Sequence, residues 1–298
     1  MLTPFKADLH IHTVLSPCGD LEMSPSAIVD RALARGLDMI AISDHNTTRQ
    51  VKVTQRIGRE KGLFVLGGVE VTSQEEAHCL SFFENDEQLD AFQSFLDQHL
   101  PPIPNDEDRF GYQLIVDEND EIVGEEEYHL LNAIDVDIDG IYEEVHRIGG
   151  LFIPAHINKG TTSLTSQLGF VPPDLKADGL EINKFTTKEE ILKKFAYLKR
   201  FNFITDSDAH FIDNVGDVYN VIYMEHRTFA EFRMALKGEE GRYIDTMAFR
   251  SAPLPRSGIS GLAPPIFIFH CKPVLGDARY NPDNGPYSCC SNNGYYQK

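Results

Sequence analysis

Short apolar runs alternate with amphipathic stretches from the start of the chain. "FKADLHIHT" has strand character, and Ser24 followed by Pro25 forms an N-cap and first-turn pair ahead of "SAIVDRALAR", with Gly36 as its stop. "LDMIAIS" is a continuous apolar run suited to a buried parallel strand. A helical stretch from about Thr47 to Lys61 ends at Gly62, and the strand "LFVLGGVEVT" follows. "HCLSFF" predicts a further short strand, and the spacing from Asp86 to His99 predicts a helix. Between residues 101 and 137 the rhythm breaks. "PPIPNDEDRF" predicts a loop, "YQLIVDENDEIVG" a hairpin around Glu118, Asn119 and Asp120, and the flanks are acidic. A helix ("DGIYEEVHRIGG") and a strand ("LFIPAH") then resume the pattern, so 101–137 is predicted to be a surface insertion. "GLEINK", the helix "KEEILKKFAYLKRF", "NFITDSDAH", "VYNVIYM" and the helix "FAEFRMALKG" continue it. Alternation of this kind predicts an α/β fold on a parallel sheet, open or closed.

Composition sets the boundaries. With 298 residues, 42% of them hydrophobic, the chain can build one large domain, and single α/β barrels are often about this long. After Arg250 the pattern stops. Residues 251–298 hold seven of the sixteen prolines, three of the five cysteines and only two acidic residues, which predicts an irregular, disordered tail behind a domain spanning 1–250. No run approaches a membrane span and no basic-then-apolar leader opens the chain, so a cytoplasmic protein with no membrane partner is expected. The cysteines (18, 79, 271, 289 and 290) form no C-x-x-C pair, which argues against a disulfide framework or a zinc ribbon. A formal charge of −19 repels polyanions, so long duplex nucleic acid is an unfavourable partner unless bound cations or a basic groove offset it.

Candidate chemistry collects where the strands stop. Side chains two apart on a strand share a face, so Asp8, His10 and His12 point one way. Asp44 and His45 end the second strand, Glu70 the third, and His78 opens the next. His156 closes the strand after the insertion, and Asp208 and His210 close a later one. Carboxyl ends of strands are where α/β barrels and open parallel sheets build their sites. Ionisable groups placed this deep are costly unless paired or bound to metal. Imidazoles and carboxylates without a clear thiolate suit Zn, Mn or Fe. The ligands are too many for one ion and suit two or three, with a carboxylate such as Glu70 bridging. Asp8, Asp44 and Asp206 are candidates to hold histidine tautomers from behind, or simply to cap strand ends. Lys159 and Lys184 lie on the same face and could meet phosphate oxygens, or could be ordinary solvated lysines. The other histidines (99, 129, 146, 226 and 270) are expected to be solvated.

Together, "DLHIHT", "AISDHN", "GVEVTSQEEAHCL", "IPAHINK" and "ITDSDAH" resemble the PHP (polymerase and histidinol phosphatase) family of metal-dependent phosphoesterases. The resemblance runs from about residue 6 to 245, with the motifs in the family's order. It implies a distorted (β/α)7 barrel with a two- or three-metal site. Carried across, His10, His12, Glu70 and Asp208 would hold one ion, His45 and His210 a second, and Glu70, His78 and His156 a third. The family's further His or Asp after His-x-His corresponds here to either Cys18 or Asp20, with the oxygen ligand Asp20 slightly preferred. The expected activity is metal-dependent hydrolysis of small phosphodiesters or nucleotide-sized phosphates, short oligonucleotides included. Two other readings stay open. One is a non-catalytic metal-binding or regulatory PHP module, the other an amidohydrolase-like barrel acting on C–N bonds.

Overall fold

The structure, a computed structural model, describes residues 1–247, and the expectations for 251–298 lie outside the described residues. The elements run β1 (Thr3–Ile11), α1 (Pro25–Ala34), β2 (Met39–Ile42), α2 (Val51–Lys61), β3 (Phe64–Thr72), β4 (His78–Phe83) and α3 (Asp86–His99). The inserted stretch holds α4 (Glu107–Phe110), β5 (Leu114–Val116) and β6 (Ile122–Glu125). Then come α5 (Ile138–Ile148), β7 (Leu151–Pro154), α6 (Leu164–Gln167), β8 (Leu180–Glu181), α7 (Lys188–Lys194) and β9 (Phe203–Ile204). β10 (Tyr219–Met224), α8 (Phe229–Lys237) and β11 (Tyr243–Met247) follow.

Local chemistry accounts for many of these limits. The Ser24 side chain accepts from the Ala27 amide and Pro25 sits in the first turn, so α1 starts there. α2 begins later than the periodic pattern suggests because the Thr48 amide and hydroxyl are taken by the Gln93 side chain of α3, at 2.6 and 3.0 Å. The predicted long helix after "GLEINK" is broken at Phe195 (φ −132°, ψ 69°), and a short 3-10 turn over Ala196–Arg200 replaces its second half.

The sheet order is β11-β10-β1-β2-β3-β4-β7, and β8 pairs with β9. β1, β2 and β3 are parallel, as are β8 and β9, but β4 runs antiparallel to both β3 and β7. The uniformly parallel sheet suggested by the alternation is therefore mixed. The cause is the short link 73–77, since a parallel return needs a crossover of roughly a dozen residues or more. β10 and β11 extend the sheet outward from β1, again antiparallel. On the other side the sheet curls closed. The Ile157 amide reaches the Glu181 carbonyl (2.9 Å), and a parallel bridge joins Ala209, after β9, to Ile11 of β1. The strands β1, β2, β3, β4, β7, β8 and β9 thus make a distorted seven-stranded α/β barrel.

Both faces are packed. Ile40 and Ile42 enter one apolar cluster while Met39 and Ala41 of the same strand enter the other. That explains why β2 reads as an unbroken apolar run. α8 covers the second cluster, where Phe82 and Phe232 meet edge to face at 6.0 Å. Burying such a side chain stabilises by about 1.5–3 kcal/mol. The insertion is more firmly tied than a surface decoration. Gln50 exchanges two bonds with the Val116 backbone (2.8 and 3.1 Å), and the Asn46 amide donates to the Leu130 and Asn132 carbonyls (2.7 and 2.8 Å). His129 is not solvated: it is buried inside the insertion, 2.9 Å from Asn105 Oδ1 and against the Phe110 ring at 4.1 Å.

Candidate metal centre

Glu70, two residues before the end of β3, is the hub of the site. Its carboxylate lies 3.3 Å from His10 Nε2, 3.3 Å from His12 Nε2, 3.2 Å from His45 Nδ1, 2.9 Å from His78 Nδ1 and 3.1 Å from His156 Nε2. These groups come from the ends of β1, β2, β4 and β7, and each is at most 9% exposed. Asp208 faces Glu70 across the bowl, 3.5 Å from both His10 Nε2 and His12 Nε2. The His12 ring stacks on His210 at 4.2 Å and on His45 at 4.5 Å. Three sets of ligand atoms each fall within 4.8 Å of one another: His10, His12 and Asp208; His12, His45 and His210; and His45, Glu70 and His78. His156 lies outside these sets but against Glu70. His156 and Asp208 adopt positive φ (26° and 50°), a backbone cost that recurs at functional sites.

The supporting groups behind the imidazoles are specific. His10 Nδ1 is 3.1 Å from both oxygens of Glu181, which also accepts from the His156 amide at 2.8 Å. One carboxylate thereby holds the His10 imidazole and the backbone at His156, and leaves His10 Nε2 facing inward. His12 Nδ1 meets the Ser16 hydroxyl (3.2 Å), and Ser16 donates to Asp44 (2.7 Å), so Asp44 acts on His12 through Ser16. Asp8 accepts from the Ser207 and Gly216 amides, and Asp206 from the Leu9 amide and Asn220. Both therefore hold backbone or amide groups, while the carboxylate on a facing imidazole is Glu181. The sequence carries a signal for it: Glu181 ends β8 within "GLEINK", much as the other acidic residues lie at or near the ends of theirs, three residues before Lys184.

Burial disfavours charge on every group here, and the neighbours decide the outcome. At Glu70 burial is outweighed by His78, His10 and His45, which hold its carboxyl well below the usual range. At Asp208 burial is likewise outweighed, by Lys159 and His10. His10 is desolvated too, yet Glu181, Glu70 and Asp208 raise it well above an ordinary imidazole. Burial and the His12 charge push His45 well down and His210 down to about 3, and burial with Lys159 lowers His156. Asp8 is lifted by burial to about 6.

The donor set fits divalent cations. Imidazoles held toward the neutral form at His45, His156 and His210 sit with two carboxylates held toward the anion in a bowl that buries His45, His156 and Glu70 and half-buries Asp208 and His210. His10 Nε2 and His12 Nε2 approach to 3.1 Å, which needs a proton or a cation between or beside them. His45 Nδ1 and His156 Nδ1 have no hydrogen-bond partner among the described residues. Lys159 and Lys184 stand at the edge of the bowl, the first 2.8 Å from Asp208 Oδ2 and the second 2.5 Å from the Ser207 carbonyl. Asp20 and Cys18 belong to none of the three sets. The Asp20 amide is bonded to the His210 carbonyl (2.8 Å), and its carboxylate accepts from the Glu22 amide (2.9 Å).

A barrel that gathers five imidazoles around one carboxylate has the donor set of a metal centre on an α/β fold. The PHP domain matches residues 8–156, and the PHP-associated domain matches residues 190–240. The chain belongs to the PHP family. It is 34% identical over 112 residues to the uncharacterized protein YqxK of Bacillus subtilis, a match covering 35% of this chain and 28% of that one. It is 34% identical over 71 residues to the 5'-3' exoribonuclease of Haemophilus influenzae, covering 24% and 25%. Its fold is similar to the lesion-specific endonuclease EndoQ of Pyrococcus furiosus, with a TM-score of 0.58 at 19% identity, over 81% of this chain and 58% of that one. In each case the match spans less than two thirds of the relative. No helix among the described residues is long and apolar enough to cross a membrane.

Proposed function

We propose that this chain is a metal-dependent phosphoesterase that hydrolyses small phosphodiesters or nucleotide-sized phosphates. The observation that carries the reading is Glu70 within 3.3 Å of five imidazoles, with Asp208 closing the bowl. His10, His12, Glu70 and Asp208 would hold one ion, His45 and His210 a second, and Glu70, His78 and His156 a third. Asp20, or else Cys18, would reach in from the loop bonded to His210. Such ions supply Lewis acidity toward phosphoryl oxygens and acidify water. Zn, Mn and Fe all suit these donors.

The chain's own groups do the rest. Glu181 keeps the His10 proton on Nδ1, so that Nε2 faces the bowl, and the Ser16–Asp44 pair orients His12. Lys159 and Lys184 supply fixed positive charge at the edge, where a phosphate anion would enter. The reading is supported by membership of the PHP family, and by a relative named as a 5'-3' exoribonuclease.

The test is a substrate panel on Mn-supplemented protein. It contains p-nitrophenyl phosphate, bis(p-nitrophenyl) phosphate, a dinucleotide and a DNA duplex. Hydrolysis of the small esters is expected, with the duplex the poorest substrate because of the −19 charge. Inertness toward every ester would overturn the reading. Faster cleavage of duplex than of dinucleotide at physiological salt would overturn its substrate half.

A further inference from the structure

One side-chain amide ties together the two loops that carry the lysines at the edge of the bowl. Asn158, half-buried in the loop after β7, stands between His156 and Lys159. Its Oδ1 accepts from the Asn183 amide (2.8 Å), and its Nδ2 donates to Thr186 Oγ1 (2.9 Å). Asn183 and Thr186 are the two ends of a turn in the loop after β8. The Thr186 amide closes that turn on the Asn183 carbonyl (2.9 Å), and the Phe185 amide donates to Asn183 Oδ1 (3.0 Å). Asparagines in loops commonly bond their own backbone two residues on, and Asn183 does so. Asn158 instead reaches groups 25 and 28 residues away in sequence, using both the oxygen and the nitrogen of its amide.

The gripped turn contains Lys184, and Lys159 is the residue next to Asn158, so the tie sets the backbone spacing between the two cations. Each Nζ is also anchored at its tip, Lys159 on Asp208 Oδ2 (2.8 Å) and Lys184 on the Ser207 carbonyl (2.5 Å). The two anchors are adjacent residues, so both ammonium groups converge on one side of the bowl. His156, Asn183, Lys184 and Asp208 line a small cleft there. A lysine is a point charge on a flexible four-carbon stem, and Asn158 fixes the backbone from which the Lys184 stem springs. Two such charges grip one phosphate best at a set separation, and a misplacement of about 1 Å can cost about 100-fold.

We infer that Asn158 is a positioning residue, which sets Lys184 against Lys159 so that the pair clasps one phosphate group of the substrate. This rests on the phosphoesterase reading above, in which both lysines meet phosphate. The test uses the full chain with Mn and three readouts: bound metal, hydrolysis of bis(p-nitrophenyl) phosphate, and equilibrium dialysis with inorganic phosphate. Asn158→Leu should raise KM and the phosphate Kd by roughly 10- to 100-fold, with kcat and bound Mn held within about twofold. Thr186→Val removes only one of the two contacts and should fall between, while Thr186→Ser keeps the hydroxyl and should match wild type. In a Lys184→Ala background, Asn158→Leu should add less than about twofold, because the side chain it acts through is gone. A merely structural role would lower bound Mn, or would cost as much without Lys184 as with it, and either result would overturn the proposal. So would wild-type KM and phosphate affinity in Asn158→Leu and Thr186→Val, or a wild type that binds no phosphate. A wild type that binds phosphate but hydrolyses no ester would instead sink the phosphoesterase reading, with the clasp still judged by the phosphate Kd of the variants.

Discussion

His10→Ala and Asp208→Ala should each abolish phosphate-ester hydrolysis, and the double variant should be no worse than either single. The two side chains lie 3.5 Å apart, share His12 as a neighbour, and fall in one set of ligand atoms within 4.8 Å. Groups that act as a unit lose their joint effect when one is removed, so the free-energy losses should be far from additive. Bound metal measured alongside kcat/KM separates this from unfolding. Each variant should lose metal while keeping its far-ultraviolet spectrum. Wild-type rates in both variants, or fully additive losses, would contradict a shared ion.

Glu181→Ala should lower metal affinity or kcat/KM by roughly 10- to 100-fold, the scale for removing a carboxylate behind a ligating imidazole. The carboxylate is only 1% exposed and serves two clients, His10 Nδ1 and the His156 amide. Glu181→Gln keeps the oxygen for His156 but loses the charge that favours His10 with its proton on Nδ1. It should therefore fall between wild type and alanine in metal titrations. If Glu181→Ala retained full metal affinity, the carboxylate would be only a packing element.

Much of the site was legible because barrel sites draw on strand ends, and the strand ends are visible as polar residues terminating apolar runs. His10, His45, Glu70 and Asp208 stood out for that reason. Glu181 obeyed the same rule within "GLEINK", but its strand is only two residues long, too short to mark which of those residues ends it. The direction of β4 was concealed because side-chain alternation carries no strand polarity. Only the short 73–77 link reveals it. The insertion was recognised by its broken rhythm, yet its ties to Asn46 and Gln50 are long-range amide contacts that no local pattern encodes. His129 shows the same limit. An acidic sequence neighbourhood suggested solvent, while the fold buries the ring against Phe110.

On the proposed function, the bowl around Glu70 is a working multi-ion centre. It is tested most directly by titrating chelator-stripped protein with Mn while following hydrolysis of bis(p-nitrophenyl) phosphate. Activity should be absent at the start and rise to a plateau at two or three equivalents of metal per chain. Activity that survives stripping, or that never appears at any metal level, would contradict it.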